Sequence, residues 1–167
     1  MADSMHFQYA IYLPNAAHNA NPLAAVNDEL KKFPELKLVD EIPAHPQQMF
    51  VHAYIQKHVK GEYAPLGIES LRYSGHGLTL AEGHELQACE RALILEFGHP
   101  RNYVWTGLRQ ANTIVDDLVR RARGFAWDEE TREVFSIKAW HERRSASWNG
   151  DVPDVSFETT IHIYDNN

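Results

Sequence analysis

Apolar residues recur along this chain with two periods, one typical of helices and one typical of strands. The longest helical pattern follows Pro100, where the apolar positions are separated alternately by four and three residues. These positions are Val104, Leu108, Ala111, Val115, Leu118 and Ala122. They predict an amphipathic helix from about Arg101 to Arg123 that Gly124 ends as a C-cap. We expect its apolar stripe to pack against a sheet.

Three further helices are predicted from their capping signals. Asn21 followed by Pro22 begins the first, which runs until Pro34. Thr79 and Glu82 have the spacing of a capping box, and a short helix follows to about Glu90. Ser136 can cap a third helix over residues 137–144.

Strands are predicted where β-branched and aromatic residues are dense and turn residues follow. The predicted strands are His6–Leu13, Leu36–Ile42, Met49–Ile55, a weaker Ile68–Tyr73, Ala92–Phe97, a hairpin of Phe125–Trp127 and Arg132–Phe135, and Phe157–Tyr164. Ala92–Phe97 is a compact apolar run, so we expect it to be the central strand.

These elements predict one α+β domain over residues 1–167. We expect a mixed, largely antiparallel sheet with helices packed mainly on one face, and a ferredoxin-like arrangement is one topology that fits. A last strand that stops just before Asp165 would suit an N-terminal domain cut from a longer protein.

Composition narrows the classes of partner. The 23 acidic and 16 basic residues give a formal charge of −7, which disfavours binding to nucleic acid. Arg120, Arg121 and Arg123 complement the dipole at the end of the long helix. We expect no membrane span, because no run approaches about 18 consecutive apolar residues. The single cysteine and a first segment unlike a signal peptide favour the cytoplasm.

Ten histidines raise the alternative of a metal site. His76, His84 and His99 each follow a glycine, and Glu85 follows His84. Adjacent helical residues do not share a face, so the spacing does not favour a site, and we expect no cofactor. A metal-dependent hydrolase that uses these four residues stays the alternative function.

Other catalytic patterns are missing from the sequence. No nucleophile elbow, phosphate-binding loop or dinucleotide fingerprint occurs, and Cys89 lies near small residues, where a packed thiol is ordinary. These observations lean against an enzyme.

Large aromatic residues in the second half of the chain predict a binding rim. Trp127 and Asp128 begin a charged turn that ends at Arg132, and Trp105 and Trp140 lie on predicted helices. We expect these five residues to form the rim, and the four tryptophans of this half, Trp105, Trp127, Trp140 and Trp148, to wall a surface groove.

Part of the chain resembles known bacterial domains. The phrases Ser70–Tyr73, Gly75–Leu78, Ala92–Leu95 and Gly124–Arg132 are similar to segments of the uncharacterised DUF4261 and DUF2314 group. The resemblance covers less than half of the chain and includes no catalytic motif. It implies a bacterial cytoplasmic protein with a modular parent chain.

Together these observations predict a noncatalytic binding or regulatory module. Its expected partner is another protein or another domain of its own parent chain.

Overall fold

The computed structural model describes residues 4–15 and 21–158 of the chain. The strands in these ranges are β1 Ser4–Leu13, β2 Lys37–Leu38, β3 Phe50–Gln56, β4 Gly75–His76, β5 Arg91–Pro100, β6 Phe125–Asp128, β7 Glu133–Phe135, β8 Trp148–Asn149 and β9 Val152–Pro153. The α-helices are α1 Pro22–Leu30, α2 Leu71–Ser74, α3 Leu80–Gln87, α4 Val104–Ala122, α5 Ile137–Trp140 and α6 Val155–Glu158. Gly61–Tyr63 and Arg101–Tyr103 are 3-10 turns, and His141–Ser145 is a π-helical turn.

The main sheet has the strand order β2-β3-β5-β1-β6-β7-β4, and β8 pairs with β9 in a separate hairpin. Four antiparallel pairings build its centre, while the two-residue strands β2 and β4 add to its edges in parallel. The central order β3-β5-β1-β6, with α1 after β1 and α4 after β5, is the ferredoxin-like arrangement. The predicted α+β class and the largely antiparallel sheet are therefore confirmed.

One face of the sheet, which we call the helix face, carries α1, α4 and α5. The odd-numbered residues of β1 and β5 point to it, as the two-residue period of strands requires. Ala111, Val115 and Leu118 of the predicted α4 stripe are buried there, and Leu108 is partly buried. Ile114 and Val119 are buried too, so the contact face of α4 is wider than the stripe.

The opposite face, called the second face, is covered in part by segment 57–90. Leu86 of α3 and Cys89 are buried against Tyr12 and Ile94. This segment joins β3 to β5, and it places α3 on the side of the sheet opposite α1, α4 and α5. Among the described residues, no helix is both long and apolar enough to cross a membrane.

The local capping predictions are confirmed. The Asn21 side chain accepts a hydrogen bond from the Ala24 amide, and Pro22 is the first residue of α1. Thr79 and Glu82 form both hydrogen bonds of a capping box. Ser136 caps α5 through the Ala139 amide, and the predicted β6–β7 hairpin is present.

Two predicted strands were wrong in extent or type. The Ser70 and Leu71 amides bond back to the Gly67 carbonyl, so residues 68–73 satisfy their backbone in a turn that leads into α2. The strand predicted at Leu36–Ile42 is reduced to β2, because the chain bends at Asp40 just after the Val39 amide bonds to the Val51 carbonyl. The strand predicted at Phe157–Tyr164 overlaps the end of α6, and its remainder lies outside the described residues.

Candidate functional site

Polar side chains occupy the part of the second face that segment 57–90 leaves open. Strand register places Glu96 of β5 between Gln8 of β1 and His52 of β3. Ile94, two positions earlier in β5, lies on the same face and is buried. Strand β5, which lies beside the middle strand β1, therefore changes from apolar to ionisable on this face.

Glu96 is held by two residues of β3. Its Oε2 lies 3.0 Å from Nδ1 of His52, and its Oε1 lies 3.5 Å from the Tyr54 hydroxyl. An ionised carboxylate can only accept, so Nδ1 of His52 carries the hydrogen in this bond. The Glu96 side chain is 34% exposed, which leaves it open to solvent on its remaining side.

Tyr63 closes one end of this polar group. Its hydroxyl lies 3.0 Å from that of Tyr54 and accepts a hydrogen bond of 3.4 Å from Nε2 of Gln8. The Tyr12 hydroxyl donates to the Tyr63 carbonyl at 3.2 Å. Burial, helped by the hydrogen bond to Tyr63, raises the pKa of Tyr54, so this phenol stays neutral at physiological pH.

An apolar wall stands beside Glu96 because Gly98 has no side chain. A Cβ at Gly98 would lie 2.3 Å from Cγ2 of Ile42 and 3.6 Å from Cε1 of His6. The glycine therefore lets Ile42 lie directly against the sheet.

The β6–β7 turn supplies two more carboxylates on the other side. Glu129 accepts a hydrogen bond of 2.6 Å from Nε1 of Trp127 and pairs with Arg132. Burial raises the pKa of Glu130, and the nearby charges of Asp128 and Glu129 act in the same direction. Because burial is the larger cause, the raised pKa reflects mainly the loss of water around this carboxyl, and the neighbouring carboxylates add to it.

These residues enclose a hollow of about 260 Å³ that we call the glutamate recess. The side chains that line it are His6, Gln8, Ile42, Glu96, Glu129 and Glu130. The recess combines three carboxylates with one aliphatic wall, which is a surface suited to a cation with an apolar stem.

The hairpin residues of the predicted binding rim lie near the recess. Trp127 is buried on the second face, and the Arg132 guanidinium lies 5.2 Å from the centre of its ring. Both residues contact Glu129, so they hold one wall of the recess.

Asp128 belongs to a buried ionic network instead. Its Oδ2 lies 3.0 Å from the guanidinium of Arg144, which also lies 3.6 Å from Oε2 of Glu133. Nε2 of His76 completes the chain at 2.6 Å from Oε1 of Glu133. Arg144 comes from the π-helical turn, so the network ties that turn to the hairpin.

The other two rim residues are separate from the hairpin. Trp140 is fully buried in the helix-face core and donates its indole hydrogen to the Asn112 carbonyl. Trp105 is 45% exposed and lines a groove of about 500 Å³ along α4. Arg109 lines the same groove, with its guanidinium 5.5 Å from the ring centre of Trp148.

The candidate metal ligands do not converge. His76 lies on the edge strand β4, while His84 and Glu85 are exposed on α3. His99 is buried at the end of β5 against Phe7. Within residues 4–15 and 21–158, no group of three or more His, Cys, Asp or Glu side chains could hold a metal ion.

Cys89 is buried on the second face, where its thiol donates a hydrogen bond to the Glu85 carbonyl. Burial raises the pKa of Cys89 to about 12, so the reactive thiolate is scarce at neutral pH.

The sequence carries a signal for the recess that matches no known motif. In β1 and β3, polar residues occur two positions apart, as His6 and Gln8 and as His52 and Tyr54. In β5, Glu96 falls two positions after the buried Ile94. Strand periodicity puts each set on one face. Only the order β3-β5-β1 brings these sets side by side.

Comparisons with protein families, with curated proteins and with solved structures find no match to this chain. The resemblance to the DUF4261 and DUF2314 group therefore stays a prediction.

Proposed function

We propose that this chain is a noncatalytic protein-binding module whose glutamate recess receives a lysine or arginine side chain. The basic residue belongs to another protein or to another domain of the same parent chain. The observation that carries this proposal is the position of Glu96, a carboxylate in the middle of the inner strand β5 that faces an open hollow.

The partners of Glu96 leave room for a cation. Glu96 receives a hydrogen bond from His52 and a long contact from Tyr54, and neither partner needs to carry a positive charge. Its side chain is 34% exposed, so the carboxylate can accept a cation from the solvent side. A bound cation would form a charge-assisted hydrogen bond there.

The remaining walls favour the same kind of ligand. Glu129 and Glu130 add negative charge across the recess. Of the three recess glutamates, only Glu129 pairs with Arg132 within the described residues. The overall charge of −7 attracts basic partners over a longer range. Ile42 offers an apolar surface for the methylene stem that lysine and arginine share.

The groups around the recess are suited to binding rather than to a covalent reaction. The neutral Tyr54, the amide of Gln8 and the carboxylates can bond or attract a ligand. The alternative function, a metal-dependent hydrolase, needs metal ligands that converge on one point. No such set occurs in the part of the chain that the structure describes. A bacterial, cytoplasmic setting belongs to the proposal, and the buried free thiol of Cys89 fits a reducing compartment.

The test is an NMR titration with N-acetyl-L-arginine amide, which carries one guanidinium. We expect a dissociation constant of roughly 1 mM, as for a single side chain without a surrounding interface. Glu96→Gln keeps the shape of the side chain but removes its charge, so affinity should fall at least roughly fivefold, the effect of losing about 1 kcal/mol of charge attraction.

Two controls isolate the recess. N-acetyl-L-citrulline amide has nearly the same shape without the charge, and it should not bind. Glu69→Gln removes a carboxylate that is 82% exposed and far along the chain from the recess, and it should leave the affinity unchanged. Equal affinity of the wild type and Glu96→Gln for the arginine probe would refute the proposal.

A further inference from the structure

His52 is placed where its protonation state changes the charge of the recess. Its Nδ1 lies 3.0 Å from Oε2 of Glu96, and its side chain is 25% exposed. Solvent can therefore deliver a proton to the ring without unfolding the sheet.

The groups around His52 come from four parts of the fold. Tyr54 of its own strand stacks on the ring at 5.0 Å, and Tyr63 reaches the group through Tyr54. Glu96 faces it from β5, with Gln8 beyond on β1. The charged and titratable recess residues besides Glu96 are His6, Glu129 and Glu130.

Among these groups, histidine is the type that changes charge between pH 5 and 8. A neutral His52 donates its hydrogen bond and leaves the full charge of Glu96 facing the recess. A protonated His52 puts a positive charge next to that carboxylate, and its field opposes an incoming cation.

We propose that His52 is a positioning residue that opens the recess to basic side chains near neutral pH and closes it on acidification. The inference rests on the proposed function, since it names the regulation of the same site. His52 acts through Glu96 and does not itself contact the ligand.

The experiment measures the affinity for N-acetyl-L-arginine amide at about pH 8 and about pH 5.5, a range in which the probe keeps its charge. Wild-type affinity should be roughly fivefold weaker at the lower pH, the effect of one added charge a few ångströms away. His52→Asn can still donate a hydrogen bond to Glu96 but cannot become a cation. This variant should bind at the higher pH and lose clearly less affinity than the wild type on acidification, and the remaining loss comes from Glu130, whose pKa burial raises.

His84→Asn is the matched control, because His84 is exposed on α3 and does not line the recess. It should keep the wild-type pH dependence. Binding and protonation are also reciprocal, so saturating probe should keep the His52 ring neutral to lower pH in NMR spectra.

The possible failures are distinguishable. If the probe binds at pH 8 and His52→Asn keeps the full loss of affinity on acidification, this inference is wrong and the proposed function stands. If the wild type binds the probe at neither pH, both are wrong. If His52→Asn fails to bind at the higher pH, His52→Gln provides a second donor without charge, and the loss of binding by both variants would overturn the inference.

Discussion

The buried position of His99 makes its side chain harder to protonate in the folded protein. It is fully buried against Phe7, and burial outweighs the opposing effect of a backbone hydrogen bond with Gly98. Burial lowers the pKa of His99 from 6.5 to about 4. The unfolded chain therefore takes up a proton at a higher pH than the folded chain does.

This difference predicts a loss of stability in acid. As pH falls from 6.5 towards about 4, the unfolded state gains the proton first, so the free energy of unfolding decreases. The contribution of His99 should reach about 2 kcal/mol at about pH 5. His99→Leu should remove this part of the acid loss in urea unfolding at about pH 7.5 and pH 5.

His84→Asn is the control for that prediction, because His84 is exposed on α3. It should unfold like the wild type at both pH values. The explanation for His99 would be contradicted if His99→Leu showed the same dependence on pH as the wild type.

The sequence prediction missed Glu96 and its site, because Ala92–Phe97 was treated as one compact apolar run. Glu96 interrupts that run on one side of the strand, and the break is visible in the local periodicity. Its partners Tyr54 and His52 lie 42 and 44 positions earlier in the chain. Their contacts with Glu96 depend on the pairing of β3 with β5, which no local pattern specifies.

Elements were predicted best where their signals are local. The caps of α1, α3 and α5 were confirmed because each needs only a side chain and an amide a few residues apart. The strand predicted at residues 68–73 failed because β-propensity depends on a partner strand, and here a turn satisfied the backbone instead.

Gly124 follows the end of α4 as predicted, but glycine is needed there for a different reason. The left-handed position is Arg123, with φ 50°, and not Gly124 as the C-cap prediction required. Gly124 is needed because a Cβ there would lie 2.2 Å from the Tyr12 carbonyl oxygen. Its small size lets the chain pass close to β1 between α4 and β6.

Gly124→Ala should therefore lower the free energy of unfolding by about 1–3 kcal/mol, as overpacking against a fixed group does. Denaturant unfolding measures the change. Gly67→Ala is the matched control, since a Cβ at Gly67 would have no other atom within 4 Å and the φ of this residue is not positive. It should be neutral or stabilise by up to about 1 kcal/mol, and an equally mild Gly124→Ala would contradict the close approach.

At the scale of the molecule, the fold class was predictable from the sequence, and the arrangement of its strands and helices was predictable only in part. Alternating strands and helices predict α+β, and the ferredoxin-like order was one option among several. Segment 57–90 covers the second face where residues such as Tyr12 and Ile94 are apolar, and it leaves the polar end open. Which part of a sheet stays open depends on this long-range packing, which the spacing of residues along the chain does not contain.

The central claim is that the open end of the sheet receives a basic side chain. Mapping the backbone and side-chain shifts caused by N-acetyl-L-arginine amide at about pH 8 tests it most directly. We expect the largest shifts at Gln8, Glu96 and Glu130, with Trp105 and Arg109 of the α4 groove unaffected. Shifts confined to Trp105 and Arg109, or no saturable shifts at all, would contradict the claim.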